Sequence, residues 1–77
     1  MNIGHKVKNF LGKYMKLDNI GDDDNFFERQ LVNSLFAVQL VAFLEKEFEI
    51  TIENDELNLE NFKSVNAIVQ FVEGKLA

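Results

Sequence analysis

Leu31-Val32-Asn33-Ser34-Leu35-Phe36-Ala37-Val38-Gln39-Leu40-Val41-Ala42-Phe43-Leu44-Glu45-Lys46-Glu47-Phe48 is the stretch that decides the fold. Asn33 and Ser34 are both good helix N-caps, whose side-chain oxygens accept from backbone N–H groups that the first turn leaves unpaired. Ala37, Leu40, Val41, Leu44 and Phe48 then recur at intervals of three and four, which lines them along one helical face. Glu45, Lys46, Glu47 and Glu49 mark a solvated end. In this register Leu35, Phe36 and Gln39 fall on the accessible side.

Upstream, Ile3, Val7, Phe10, Leu11 and Tyr14 repeat at helical intervals, with Lys6, Asn9, Lys13 and Lys16 opposite them. The pattern fades by Leu17, where Asp18 to Asn25 is rich in turn formers. A loop of about fifteen residues follows, and loops that long in compact domains are uncommon unless functional. Phe26, Phe27 and Leu31 are expected to pin it to the core. Downstream, Phe48 to Ile52 alternates like a strand, but nothing else in the chain could pair with it, so its backbone groups would go unsatisfied. It therefore reads as an extended connection with Ile50 and Ile52 docked on the bundle. Short helical turns are expected around Asn54–Leu57 or Leu59–Phe62. A last helix is capped by Ser64 and buries Val65, Ile68, Val69, Val72 and Leu76. The expected fold is all-α: a small four-helix bundle, residues 1–77 forming a single domain, with a long loop between helices one and two and a short third helix.

Composition narrows the function. Seventy-seven residues without cysteine and with a single histidine, His5, leave no disulfide, thiolate metal site or structural zinc. Residues 1–16 hold four lysines and no acid, whereas residues 17–77 hold thirteen acids against Arg29, Lys46, Lys63 and Lys75. That acidic body would repel nucleic-acid phosphates and favours protein partners met by electrostatic steering. The Leu35–Leu44 run is too short to span a bilayer. The first sixteen residues show no apolar run or cleavage site. A cytoplasmic monomer is expected, with no nucleic acid or membrane among its partners.

No enzyme is legible. His5 has no cysteine to activate and reads as a surface residue; the four glycines are scattered, so no phosphate loop forms. The acidic loop fails as a calcium site: starting at Asp18, position six is Asp23 and position twelve Arg29; starting at Asp22, they are Phe27 and Asn33. What stands out is Ser34 at the mouth of an amphipathic helix. A helix N-terminus gathers unpaired N–H groups and the positive end of the dipole, which suits a phosphodiester. Residues alone leave open that Ser34 is only a cap.

Leu31-Val32-Asn33-Ser34-Leu35, followed by Leu44-Glu45-Lys46-Glu47-Phe48, resembles the acyl carrier protein family. That family places a Ser-Leu pair at the start of its second helix, usually after Asp, and ends the helix with Leu-Glu-x-x-Phe. The resemblance extends to Phe26-Phe27 and to Ser64-Val65. It implies a covalent phosphopantetheine on Ser34, installed by a phosphopantetheinyl transferase, carrying an acyl group as a thioester. The reactive sulfur then arrives with the cofactor, and partner enzymes supply the chemistry. Asn33 replaces the usual Asp, and Phe36 and Gln39 stand where carriers of the fatty-acid type commonly show acids.

The run Val32 to Leu40, with Asn54-Asp55-Glu56-Leu57 and Asn61-Phe62, is similar to discrete carriers of glyceryl-derived or methoxymalonyl-type units in polyketide and antibiotic biosynthesis. That resemblance implies a glyceryl-loading or other acyl-loading enzyme, dehydrogenases and a polyketide synthase as partners. Asn33, Leu35, Phe36, Val38, Gln39 and Ala42 are the expected docking residues. For Phe36 the competing reading is a side chain folded back into the core. Two alternatives stand beside this function: a peptidyl or aminoacyl carrier for nonribosomal synthesis, and a helical interaction module without prosthetic group.

Overall fold

A computed structural model describes residues 2–14, 20–28 and 34–77. Among the described residues four α-helices follow one another, α1 (Ile3–Leu11), α2 (Ser34–Phe48), α3 (Leu59–Phe62) and α4 (Val65–Leu76), with a 3₁₀ turn at Asn54–Glu56 before α3. No strand occurs among the described residues. The all-α bundle with a short third helix is as expected, and both candidate turns before α4 form. The expected contribution of Leu31 and the Asn33 cap lie outside the described residues.

α1 starts because Asn2, in extended conformation, accepts a 2.8 Å bond from the His5 N–H. It ends at Leu11, earlier than its apolar pattern suggests. Gly12 donates back to the Lys8 carbonyl, and Tyr14 continues only as a turn. α1 and α2 run antiparallel. The Phe10 ring stacks on Phe43 at 4.4 Å, Tyr14 meets Phe36 edge-on at 5.4 Å, and Lys6 reaches Glu47 at 3.2 Å. Aromatic pairs of this kind add about 0.5–1.5 kcal/mol beyond their burial.

The rotation of α2 differs from the sequence expectation. Its buried stripe is Phe36, Leu40, Leu44 and Phe48, and Phe36 is only 5% exposed. Phe36 is therefore a core residue, not an exposed docking anchor. Its ring lies 6.2 Å from that of Phe10 and 5.4 Å from that of Tyr14. A four-residue spacing overshoots the helical turn of 3.6 residues. Ala37 and Val41 consequently sit at the margin of the core, half-buried.

After Phe48 the chain reverses through Glu49, whose φ of 54° lies in the left-handed region. The Ile50 N–H then donates to the Glu45 carbonyl at 3.2 Å, closing the helix C-terminus in the manner usually assigned to glycine. The Glu45 carboxylate accepts from the Ile52 N–H at 2.9 Å. One glutamate thus supplies, from backbone and side chain, partners that a lone strand would lack. Ile52 is buried and Ile50 partly so, as expected. In α4, Val65, Ile68 and Val72 are buried, whereas Val69 is half-buried and Leu76 exposed. The buried stripe of α4 is narrower than its apolar pattern because its last turn runs past the core.

Leu40 has no exposed surface, so Leu40→Ala should cost about 2–5 kcal/mol. That is a large share of the ~5–15 kcal/mol available to a small domain. Phe36→Asp should also lower the melting temperature sharply, because a carboxylate would be buried against two aromatic rings. Thermal denaturation of both variants checks the register of α2; an unchanged Phe36→Asp would return that side chain to the surface.

Candidate functional site

Ser34 opens α2, the longest helix among the described residues. The loop that leads toward it is sewn down in its first half. Asp24 accepts from the Gly21 N–H at 2.8 Å, and Asn25 accepts from the N–H groups of Phe27 and Glu28. Fully buried Phe26 donates its N–H to the Lys63 carbonyl at 2.7 Å. The Asn66 N–H donates to the Asp22 carbonyl at 2.9 Å, and its side-chain amide to Asp23 at 2.7 Å. Lys8 reaches Asp22 at 3.2 Å. The acids read as a turn are in this way the fastening of the loop to α1 and to the start of α4.

The chain has only two serines. Ser64 is 3% exposed and accepts from the Ala67 N–H at 3.1 Å, so its hydroxyl is committed to the N-cap of α4. His5 is exposed, and no group of His, Cys, Asp or Glu suited to a metal exists among the described residues.

Beyond Ser34, α2 presents two different faces to the outside. Leu35 is 64% exposed and Val38 66%, with Gln39, Ala42 and Lys46 exposed alongside them. No acid interrupts this face before Lys46. Of the expected docking residues, Leu35, Val38, Gln39 and Ala42 lie on it; Phe36 points to the core, and Asn33 lies outside the described residues. On the neighbouring flank, Ala37, Val38 and Val41 join Phe27, Leu57, Asn58 and Phe62 around a hollow of about 280 Å³. Positions 37, 38 and 41 follow position 34 by one and two helical turns, which places the start of α2 and the hollow on one side of the helix.

The wall of the hollow opposite α2 is held by polar contacts. Glu56 accepts from the Glu53 N–H at 2.9 Å and from Lys75 Nζ at 2.7 Å, and its carbonyl accepts from the Asn61 side-chain amide at 2.8 Å. Lys75, first by its hydrogen bond, and then the Glu53 N–H hold the Glu56 carboxyl below the usual carboxylate range. Sequence reasoning missed this wall. The partners Glu56 and Lys75 stand nineteen residues apart on different elements, and helical spacing relates only near neighbours.

A hydroxyl-bearing residue at the start of a helix, with an apolar hollow along the same flank, suits a phosphate-linked arm bearing a group to be shielded. Comparison with known sequences decides the matter: the sequence profile of the phosphopantetheine attachment site family matches residues 5–72. The chain belongs to the phosphopantetheine-attachment family. What defines that family is the attachment of phosphopantetheine as a covalent prosthetic group. Similar proteins include the D-alanyl carrier proteins of Lactobacillus acidophilus and Leuconostoc mesenteroides, 35% and 37% identical over 51 residues. The acyl carrier protein of Exiguobacterium sibiricum is 41% identical over 51 residues. Each alignment covers 66% of this chain, and 65%, 65% and 62% of the respective relative, so the chain spans somewhat less than two thirds of these carriers' length.

Because the Ser64 hydroxyl caps α4, Ser64→Ala should cost about 0.5–2 kcal/mol of stability. Attachment of the arm should be unaffected. Chemical denaturation and the intact mass of the same variant after modification read the two effects separately.

Proposed function

We infer that residues 1–77 act as a single carrier domain whose phosphopantetheine is attached to Ser34, and that the arm's thiol presents an acyl group to enzymes that dock on α2. The observation that carries this reading is the pairing of the family match with the fate of the two serines. One caps α4 and is buried; the other opens the helix that borders the hollow. The first-turn N–H groups and the dipole of α2 favour a phosphodiester at its start.

The cargo we propose is a small glyceryl-derived unit of polyketide assembly. Support comes from the Val32–Leu40 run and from the neutral face of Leu35, Val38, Gln39 and Ala42. That face calls for an apolar docking partner in place of a strongly basic one. The partners would then be a phosphopantetheinyl transferase, a glyceryl-loading enzyme, dehydrogenases and a polyketide synthase, all in the cytoplasm. Among the described residues no helix is long and apolar enough to cross a membrane. A second reading, an aminoacyl cargo, is favoured by the similarity to two D-alanyl carrier proteins. The intact mass of the protein from its host distinguishes them, since the increment above the arm equals either a glyceryl or an alanyl group.

Incubation with coenzyme A and a broad phosphopantetheinyl transferase should add the mass of one arm to the parent chain and nothing to Ser34→Ala. An alanine variant that still gains the arm would overturn the assignment. Val38→Asp should slow loading by its own enzyme about tenfold, the loss of roughly 1.4 kcal/mol at an interface. Its melting temperature should hardly change, because Val38 is largely exposed.

A further inference from the structure

The two walls of the hollow are supported by different means. Ala37, Val38 and Val41 belong to α2, whose opposite side is anchored in the core by Leu40 and Leu44. Leu57 and Asn58 belong to a segment with one 3₁₀ turn and no buried side chain of its own. Leu57 is 48% exposed, so core packing does little to fix it. Its backbone position follows from hydrogen bonds: the Leu57 N–H to the Asn54 carbonyl at 3.2 Å and the Asn58 N–H to the Glu56 carbonyl at 3.0 Å.

Lys75, in the last turn of α4, reaches both parts of this wall. Its ammonium lies 2.7 Å from Glu56 Oε1, in a pair whose side chains are each about a quarter exposed. Glu56 is the hub of the turn that carries Leu57. The same ammonium lies 6.0 Å from the centre of the Phe71 ring, and Phe71 meets Phe62 edge-on at 5.2 Å. Phe62 is itself a wall residue. A single cation therefore braces Leu57 through Glu56 and lies over Phe71, which packs on the core residue Phe62.

We propose that Lys75 is a positioning residue that sets the width of the hollow, and that the Lys75–Glu56 pair thereby limits the length of apolar group the carrier shields. Roughly 150 Å³ is enough for a benzene-sized guest, so about 280 Å³ admits a short apolar group, and the brace keeps a longer one from prising Leu57 away from α2. The inference rests on the carrier reading for what the hollow is used for. Its test does not, because it needs neither the arm nor a partner enzyme.

The probes are hexanol and decanol, added to the unmodified chain and followed by NMR shifts of the Val38, Val41 and Leu57 methyl groups. Relative to hexanol, decanol should gain at least threefold in affinity in Lys75→Met. The Leu57, Asn58 and Asn61 amides should exchange at least fivefold faster, with the amides of α1 unchanged. Glu56→Gln should behave like Lys75→Met, since it keeps an acceptor for the Glu53 N–H but loses the charge. Lys75→Arg should retain the parent's preference and protection. An unchanged decanol-to-hexanol ratio in Lys75→Met would overturn the proposal, as would faster exchange spread evenly through α1 and α2. Absence of any hollow methyl shift with either alcohol in the parent chain would also overturn it. Such a failure is separable from failure of the carrier reading, which is decided by the mass gain at Ser34.

Discussion

Phe36 lies two residues into α2 and is buried against Tyr14 and Phe10, and that contact fixes the rotation of the helix. Everything around the candidate site follows from it. With Phe36 inward, Leu40, Leu44 and Phe48 become the core stripe, Ala37 and Val41 turn toward the hollow, and Leu35, Val38, Gln39 and Ala42 are left outside. A rotation that exposed Phe36 would swing Ala37 and Val41 into the core and remove one wall of the hollow. The burial of one ring, in the range of about 1.5–3 kcal/mol, thus determines which side chains of α2 enter the core and which stay outside it.

A chain with no cysteine and a thin core needs other fastenings, and the structure uses backbone polar groups for them. The start of α4 is the densest case. The Ser64 hydroxyl accepts from Ala67, the Asp22 carbonyl accepts from Asn66, and the Lys63 carbonyl accepts from Phe26. The first two satisfy N–H groups that the helix start leaves unpaired, and the last two dock the loop. No buried side-chain nitrogen or oxygen lacks a partner among the described residues. The extended connection after α2 follows the same economy, with Glu45 as its acceptor from both backbone and side chain.

Much of this was legible in the sequence. The helical periods, the Ser64 cap and the lack of a partner for the Phe48–Ile52 alternation each depend on near neighbours, and each led to the right element. The family resemblance drew attention to Ser34 at the start of α2. What was not legible depends on residues far apart in the chain. Apolar spacing on α2 pointed to a stripe through Ala37 and Val41; the rotation that buries Phe36 instead is set by Phe10 on α1 and Tyr14 in the turn after it. Lys75 counted in the sequence only as one of four cations in an acidic body, and nothing among its chain neighbours points to Glu56. The loop acids were read as a turn, but their ties to Lys8 and Asn66 are tertiary contacts that turn chemistry does not reveal.

The division of labour around the hollow has a physical logic. Its α2 wall is continuous with the core, so moving it would cost packing energy across several buried side chains. Across the hollow Phe62 is also a core residue, but Leu57 and Asn58 rest on a 3₁₀ turn, backbone hydrogen bonds and one ion pair, contributions that are individually small. Local opening free energies vary widely within one protein, and segments with few buried apolar contacts lie at the low end. One side of the hollow is therefore much easier to displace than the other, and displacing it leaves the start of α2 in place. Under the carrier function proposed for this chain, that asymmetry keeps the point of attachment fixed for every partner while the shelter for the cargo opens as the group is handed over.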